Sequence, residues 1–212
     1  ICKRKKIFLV EDAAQSFGKE IEPLQNSRID MMSMSAHKIF GPKGIGALLL
    51  RSRNYEKPPL EPLMIGGGQE RGLRPGTLAV PLIAGFGKAA ELSIRDNSER
   101  KIKCLEIRKK AIEAISSIGG IVNGDIENTL SHTLNVSIPG INSEAAMIVL
   151  KDIIYISNGS ACTSSDYQLS HVLKSMKLPE KRIEEAIRIS WCHLTEEINW
   201  EEVVQKLSSL KP

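Results

Sequence analysis

At residues 33–46 the chain reads Ser-Met-Ser-Ala-His-Lys-Ile-Phe-Gly-Pro-Lys-Gly-Ile-Gly. The alternating, mostly apolar start of this stretch predicts a strand, and the apolar run Ala47–Leu50 predicts a second one after a Gly/Pro turn. Lys38 therefore lies just past the end of a strand. Its amine can form a Schiff base with an aldehyde cofactor, and Ser35 and His37 can hold a phosphate. The alternative is a solvated lysine in a surface turn.

The composition is that of a soluble globular protein with one large or two small domains. The chain has 212 residues, of which 42% are hydrophobic and 25% charged, and its net charge is +4. Basic residues are spread along the chain, apart from a short run at residues 3–6, so we expect no direct binding of nucleic acid. Apolar runs are far shorter than the roughly 20 residues of a membrane span, so no membrane association is expected.

Cysteine and histidine spacing predicts neither a metal site nor a disulfide framework. Cys2, Cys104, Cys162 and Cys192 form no C-x-x-C pair. Three of the four histidines (residues 132, 171 and 193) stand apart without the spacing of metal ligands. Free cysteines are typical of a reducing compartment, so the prediction is a cytoplasmic protein without a metal site.

The first apolar run predicts a strand that ends at a candidate ligand site. Ile7–Val10 is continuously apolar, which is typical of a strand buried on both faces. Asp12 follows it, where open α/β sheets bind ligands. A carboxylate there can keep a pyridine nitrogen protonated, because it raises the pKa of the cation. A turn or helix-capping aspartate is the alternative.

A glycine-rich loop and a long helical segment follow. The loop at residues 66–77 holds three consecutive glycines, and Arg71, Arg74 and Thr77 offer donors for a phosphate or carboxylate; a flexible surface loop is the alternative. Residues 80–117 have helical periodicity, as one helix or as two with a break at Asp96-Asn97-Ser98, and Gly119-Gly120 ends them. We place the domain boundary at the start of this helix, giving domains 1–80 and 81–212.

The second half predicts a small α+β domain. Its predicted strands are 133–138, 153–156 and 187–191, and Arg188 and Ser190 share one face of the last. Its predicted helices are 143–150 with Ser143 as N-cap, 170–176, 180–186, and a last helix capped by residues 195–197. Cys162 lies in a run of small polar residues, 157–165, which favours an accessible, reactive thiol over a small buried hydrophobe.

Five of these segments resemble, in order, the motifs of the cysteine desulfurases, within the class-V aminotransferase family of enzymes that use pyridoxal 5′-phosphate. The resemblance rests on Glu-Asp-Ala-Ala-Gln-Ser (11–16), Ser-Ala-His-Lys with Gly-Pro-Lys-Gly-Ile-Gly (35–46), Gly-Gly-Gly-Gln-Glu-Arg-Gly-Leu-Arg-Pro-Gly-Thr (66–77), Asn-Gly-Ser-Ala-Cys-Thr-Ser (158–164) and Ile-Arg-Ile-Ser (187–190). It implies an α/β fold. Residues 1–80 would be the C-terminal part of a large cofactor-binding domain with a mainly parallel sheet, and a smaller α+β domain would follow.

The resemblance also implies a role for each matched residue. Six residues would hold the cofactor: Lys38 through a Schiff base, Asp12 at the pyridine nitrogen, Gln15 at the ring oxygen, Ser35 and His37 at the phosphate, and Thr77 at the phosphate from the other subunit of a homodimer. Arg188 would bind the carboxylate of L-cysteine. Cys162 would take the sulfur as a persulfide, leaving L-alanine, and pass it to an acceptor protein of iron–sulfur assembly or thio-modification.

The resemblance covers only half of a family member. The half expected before Ile1 would hold the histidine that stacks on the cofactor ring, so we expect residues 1–212 to be inactive alone, with the apolar edge at Ile7–Val10 exposed. Residues 191–193, Trp-Cys-His, depart from many relatives. Two alternatives stay open: another class-V enzyme, such as an aminotransferase or selenocysteine lyase, and a non-catalytic scaffold for sulfur transfer.

Overall fold

A computed structural model describes residues 1–53, 55–158 and 169–211. The chain divides into two compact units, Ile1–Asn97 and Ser98–Pro212. Among the described residues, no helix combines the length and the apolar character that a membrane span requires.

The two units meet later in the chain than the predicted boundary at residue 80. The reason is the packing of helix α2, Val80–Arg95. Its Phe86 and Ala89 are buried against Ala36 and Ile39, which belong to the first unit. The division of the complete protein into domains 1–80 and 81–212 stays a prediction.

The first unit is built on a three-stranded sheet whose central strand precedes Lys38. The strands are β1 (Val10–Asp12), β2 (Met31–Ser35) and β3 (Gly46–Leu50), in the order β1-β2-β3. β1 runs parallel to β2 and β3 runs antiparallel to it. The two strands predicted on either side of the Gly/Pro turn are therefore confirmed, and the sheet is mixed, with one parallel pairing.

The predicted strand at Ile7–Val10 is wrong in extent and is not buried on both faces, whereas the exposure expected for its apolar edge is confirmed. Strand pairing begins only at Val10, and Ile7, Phe8 and Val10 are exposed. The physical reason for the exposure is that β1 lies at the edge of this sheet, where, among the described residues, it pairs only with β2. A short helix, α1 (Cys2–Lys5), precedes it, and three 3-10 turns complete the unit at Glu22–Gln25, Ala36–Ile39 and Gln69–Gly72.

A buried aspartate ties the start of β2 to the segment before β1. Asp30 accepts a hydrogen bond from the Leu9 backbone N–H at 2.8 Å and forms ion pairs with Arg28 and Arg53. The Leu9 hydrogen bond and these two guanidinium groups hold the pKa of Asp30 well below its usual range. The carboxylate is therefore charged and fully partnered although it is buried.

The second unit places an antiparallel sheet against three helices. The sheet order is β4-β5-β7-β6. Its strands are β4 (Ile121–Val122), β5 (Thr133–Ser137), β6 (Ile156–Ser157) and β7 (Ala186–Ser190). Its helices are α3 (Asn97–Ser117), α4 (Ser143–Leu150), α5 (His171–Ser175), α6 (Glu180–Glu184) and α7 (Trp200–Ser208).

Alternation along β5 and β7 gives this sheet one apolar and one polar face. Leu134 and Val136 of β5, with Ile187 and Ile189 of β7, are buried in a core that also holds side chains of α3, α4 and α7. Thr133 and Asn135 alternate with them and belong to the other face, where Asn135 lies directly opposite Arg188. The polar face is the one that positions the candidate site.

Several predicted ends of elements are wrong because the caps use other side chains. Asn142, not Ser143, is the N-cap of α4, and it accepts hydrogen bonds from the Glu144 and Ala145 N–H groups. Asn199, rather than residues 195–197, caps α7. The predicted strand 153–156 begins only at Ile156. Of the two alternatives left open for residues 80–117, the structure shows two helices, since α2 ends at Arg95 and α3 begins at Asn97.

We expect Leu150→Ala to lower the free energy of unfolding by about 2–5 kcal/mol, because a fully buried leucine leaves a cavity in the core. Ile148→Ala is the matched control from the same helix, since Ile148 is 67% exposed, and we expect a change within about 0.5 kcal/mol. Urea denaturation followed by circular dichroism measures both values. Equal losses for the two variants would contradict the placement of α4 on this core.

Candidate active site

Asp12 stands at the end of β1 and is held there by the neighbouring strand. Asp12 and Ser33 are paired positions of β1 and β2. The Ser33 hydroxyl donates to Asp12 Oδ1 at 2.7 Å, and the Ala14 N–H donates to the same oxygen at 3.1 Å. The Ser33 hydrogen bond, with smaller contributions from the Ala14 N–H and the Lys38 charge, lowers the pKa of Asp12. Asp12 is therefore an oriented carboxylate that remains ionised near neutral pH.

Lys38 lies in the 3-10 turn that follows β2, and its ammonium is close enough to Asp12 to favour the ionised carboxylate. Ala36 and Ile39 are buried and anchor this turn, whereas Lys38 is half-buried. The turn leaves little room for a side chain at position 41, because a Cβ there would meet the Ala36 carbonyl oxygen at 3.0 Å and the Ala89 Cβ at 3.1 Å. Lys38 is therefore held at the end of β2 rather than in a free surface loop.

Ser35 and His37 form a hydroxyl–imidazole pair beside Lys38. The Ser35 Oγ and His37 Nδ1 atoms are 3.0 Å apart, and His37 is exposed. Gln15 is also exposed, and its Oε1 accepts from the Lys19 ammonium at 3.5 Å. These contacts leave the pair at the end of β2 accessible to an anionic group.

Thr77 is exposed in the glycine-rich loop, and among the described residues it forms no hydrogen bond with Asp12 or Lys38. The loop has a defined conformation: Glu70 and Arg71 both have positive φ, and the Gly76 N–H donates to Gln69 Oε1 at 3.1 Å. Its predicted role at a phosphate stays a prediction.

In the second unit, Arg188 lines a cleft of about 390 Å³ on the polar face of the sheet. The Arg188 Nε atom is buried and has no hydrogen-bond partner among the described residues, and the same holds for the Ser157 hydroxyl. Ser157 and Arg188 are paired positions of β6 and β7. A buried donor without an acceptor costs free energy, and a bound anion would remove that cost. Cys162 lies outside the described residues.

The residues present fit the chemistry of pyridoxal phosphate. The first unit offers an ionised carboxylate, a nearby lysine and a hydroxyl–imidazole pair at the ends of two adjacent strands. Within the described ranges, no three His, Cys, Asp or Glu side chains form a group that could hold a metal ion. The sequence pointed to Asp12 and Lys38 through their positions after predicted strands and through the family motifs that contain them. The role of Ser33 was missed, and its only signal was the two-residue spacing from Ser35 on one strand face.

We expect Ser33→Ala to raise the pKa of Asp12, because Ser33 donates the hydrogen bond that lowers it most. In the wild type the folded pKa lies below the value in the unfolded chain, about 3.9. The stability that Asp12 adds is thus present above that pH and is lost as the pH falls through the folded pKa. NMR titration of the carboxyl carbon measures the shift. Ser35→Ala is the control on the same strand, and an equal shift in both variants would contradict the assignment.

Comparison with known proteins identifies the family. Residues 1–203 match the family described as aminotransferase class-V. The chain is 39% identical over 209 residues to the cysteine desulfurase IscS of Shewanella loihica, covering 98% of this chain and 51% of that protein. It is 40% identical over 210 residues to the mitochondrial cysteine desulfurase of Saccharomyces cerevisiae, covering 98% of this chain and 41% of that one.

Solved structures give the same result. DndA from Streptomyces lividans matches with a TM-score of 0.74 and 39% identity, over 88% of this chain and 52% of DndA. A NifS-like protein matches with a TM-score of 0.78 and 34% identity, over 98% of this chain and 52% of its own. The chain spans about half the length of these similar proteins. These matches confirm the α/β fold class, and the chain belongs to the class-V aminotransferase family.

Proposed function

We propose that this chain forms part of a cysteine desulfurase that uses pyridoxal 5′-phosphate to convert L-cysteine to L-alanine, with the sulfur taken up by Cys162. The observation that supports it most is the pairing of Asp12 with Ser33, which holds an ionised carboxylate near Lys38. Similarity to proteins named cysteine desulfurase narrows the choice within the family. Because the chain spans about half of those proteins, the activity is proposed for the chain together with a segment that completes their length.

In this proposal each residue of the first unit has a chemical task. The cofactor, when bound, withdraws electrons from the substrate carbon next to the amino group. Asp12 stabilises the positive charge of the pyridine nitrogen, and Ser33 keeps Asp12 ionised and oriented. The amine of Lys38 attaches the cofactor and then carries a proton to and from the substrate. Ser35 and His37 bind the phosphate, Gln15 bonds to the ring oxygen, and Thr77 reaches the phosphate of a partner subunit in a homodimer.

The second unit supplies substrate binding and sulfur transfer. Arg188 binds the carboxylate of L-cysteine, because its buried guanidinium nitrogen lacks a partner within the described part of the protein. The Cys162 thiolate attacks the substrate sulfur. An S–S bond forms, the C–S bond breaks with its electron pair remaining on carbon, and that carbon gains a proton to become the methyl group of alanine. An acceptor protein then takes the sulfur from the persulfide, and a reducing, cytoplasmic setting keeps the thiol available.

The test supplies L-cysteine to residues 1–212 combined with a segment that completes the length of the relatives, and measures alanine, sulfide and the mass of the Cys162 peptide. Equal amounts of alanine and released sulfur, with a gain of one sulfur atom on Cys162, would support the proposal. Turnover without persulfide would favour another class-V enzyme, such as an aminotransferase or selenocysteine lyase. Failure to bind the cofactor in the completed protein would favour a sulfur-transfer scaffold.

A further inference from the structure

A row of polar side chains crosses the sheet of the second unit at the level of Arg188. Asn135 lies opposite Arg188 on one side, and Ser157 lies opposite Arg188 on the other. Asn123 follows β4 and hydrogen-bonds to Asn135 through its backbone N–H. We call Asn123, Asn135, Arg188 and Ser157 the polar row. Three of them, Asn123, Asn135 and Arg188, line the same cleft.

The hydrogen bonds at one end of the row have only one possible direction. Arg182 Nε donates to Asn123 Oδ1 at 2.8 Å, and a guanidinium can only donate. The oxygen of Asn123 must therefore face Arg182, and its amide nitrogen must face the other way. That nitrogen donates to Asn135 Oδ1 at 2.8 Å and to Ser137 Oγ at 2.7 Å. The Ser137 hydroxyl donates to the Arg182 carbonyl at 2.6 Å, which leaves its oxygen free to accept.

The direction of these hydrogen bonds determines which end of the Asn135 side-chain amide is left to bind a ligand beside Arg188. Because the Asn135 oxygen accepts from Asn123, the amide nitrogen of Asn135 is left as a donor on the cleft wall. Its neighbour across the strands, Arg188, is also a donor, and the buried Nε of Arg188 has no acceptor among the described residues. The Asn135 amide and Arg188 therefore present donors side by side, and Arg188 Nε is the one shown to lack an acceptor within the described part of the chain. Two neighbouring donors match an anion with two oxygens, and a carboxylate has that geometry.

We propose that the side-chain amide of Asn135 is a second donor to the carboxylate that Arg188 binds, and that Arg182 and Asn123 hold it in that orientation. The proposal rests on the proposed function in one respect: the carboxylate is that of an α-amino acid. Asn135 is thus a substrate-binding residue, whereas Asn123 and Arg182 are positioning residues that act through it. The ligand class follows from the donors rather than from the thiol chemistry.

The test measures the affinity for L-alanine and for ethylamine, which is the same molecule without its carboxylate, in the completed, cofactor-loaded protein. Isothermal titration calorimetry gives both affinities, and their ratio reports the carboxylate contribution. We expect Asn135→Ala to lower this ratio about ten- to a hundredfold, the effect of losing one hydrogen bond to a charged group. Asn135→Asp keeps an oxygen that can accept the hydrogen bond from Asn123, but it replaces the amide donor by a negative charge. We therefore expect Asn135→Asp to lower the affinity ratio more than Asn135→Ala does.

Ser190→Ala is the matched control, because Ser190 is exposed and lies two residues beyond Arg188 on the same face of β7. We expect its ratio to be unchanged. A separate readout is the NMR signal of the Asn135 amide group in the wild type, which should shift with L-alanine and not with ethylamine. An unchanged affinity ratio in Asn135→Ala would overturn the donor role of Asn135. A loss seen only in Asn135→Asp would not rescue that role, because the aspartate could compete for Arg188 by forming an ion pair with it.

A further variant separates this inference from the proposed function. If Arg188→Lys lowers the ratio and Asn135→Ala does not, the inference fails while the substrate site of the proposed function stands. If both variants lower the ratio but the protein releases no sulfur from L-cysteine, the carboxylate site stands and the desulfurase proposal fails. If neither variant changes the ratio, the inference about Asn135 and the proposed carboxylate-binding role of Arg188 both fail, whereas release of sulfur from L-cysteine still decides the desulfurase proposal.

Discussion

In the protein completed to the length of its relatives, replacing Lys38 with alanine is expected to reduce turnover of L-cysteine by at least about 10²–10⁴-fold, the range for loss of a group that transfers protons. The loss should be larger if attachment of the cofactor also depends on this amine. Lys38→Arg keeps the positive charge beside Asp12 but cannot form the Schiff base, so we expect it to be as inactive as the alanine variant. A residual activity confined to Lys38→Arg would indicate that Lys38 acts only through its charge.

The direct measurement is reduction with borohydride in the presence of pyridoxal phosphate, followed by mass mapping of the labelled peptide. We expect saturable label on Lys38 in the wild type and none at position 38 in Lys38→Ala. Lys43→Ala is the control, since Lys43 is an exposed lysine in the same Gly/Pro turn, and we expect normal labelling and activity. Label spread equally over several lysines of the wild type would contradict a specific cofactor site at Lys38.

Replacing Cys162 with serine is expected to abolish the persulfide and to lower sulfur release on the order of 10³-fold or more, because a hydroxyl is a far weaker nucleophile toward sulfur than a thiolate. Cofactor labelling at Lys38 should be unchanged, since Cys162 acts on the substrate. Release of alanine and sulfide should fall together. Mass analysis of the peptide that contains residue 162, after a single turnover, gives the result directly.

Cys192→Ser is the matched control for Cys162→Ser. Cys192 is half-buried, and its sulfur accepts a hydrogen bond from the Thr195 hydroxyl at 3.8 Å. A serine oxygen can accept the same bond, so we expect persulfide formation to be retained. Full sulfur release by Cys162→Ser with loss of activity in Lys38→Ala would instead favour another class-V enzyme. The absence of both activity and cofactor label at Lys38 in the completed wild-type protein would favour the scaffold.

The strands and helices that the sequence predicted well are those with strong local patterns. β2 and β3 flank a Gly/Pro turn, and α2 and α3 have apolar periodicity with a break at Asp96. The predictions were poorer where an end depends on tertiary contacts. Ile7–Val10 is apolar enough for a buried strand, yet pairing with β2 begins only at Val10, which lies opposite Met31, the first residue of β2.

The residues of the candidate site also fall into those that the sequence predicted and those that it did not. Asp12, Lys38 and Arg188 were identified from their residue types and motifs, whereas Ser33, Asn123 and Asn135 were not. Serine and asparagine are frequent in ordinary strands and turns, so their presence alone predicts no site. Their roles come from pairing with positions distant in the chain, since Ser33 donates to a carboxylate 21 residues away.

By itself, the sequence determined the order of the elements, the alternation that separates apolar from polar faces, and the chemical groups available: an amine, a carboxylate, a guanidinium and a thiol. Only the tertiary structure decided which groups meet. It set the lowered pKa of Asp12 through Ser33, and it turned the Asn135 amide toward donation through Asn123 and Arg182. The physical reason is that hydrogen-bond direction and pKa depend on distances of about 3 Å, and pairing between segments distant in the chain sets those distances, as for Ser33 and Asp12.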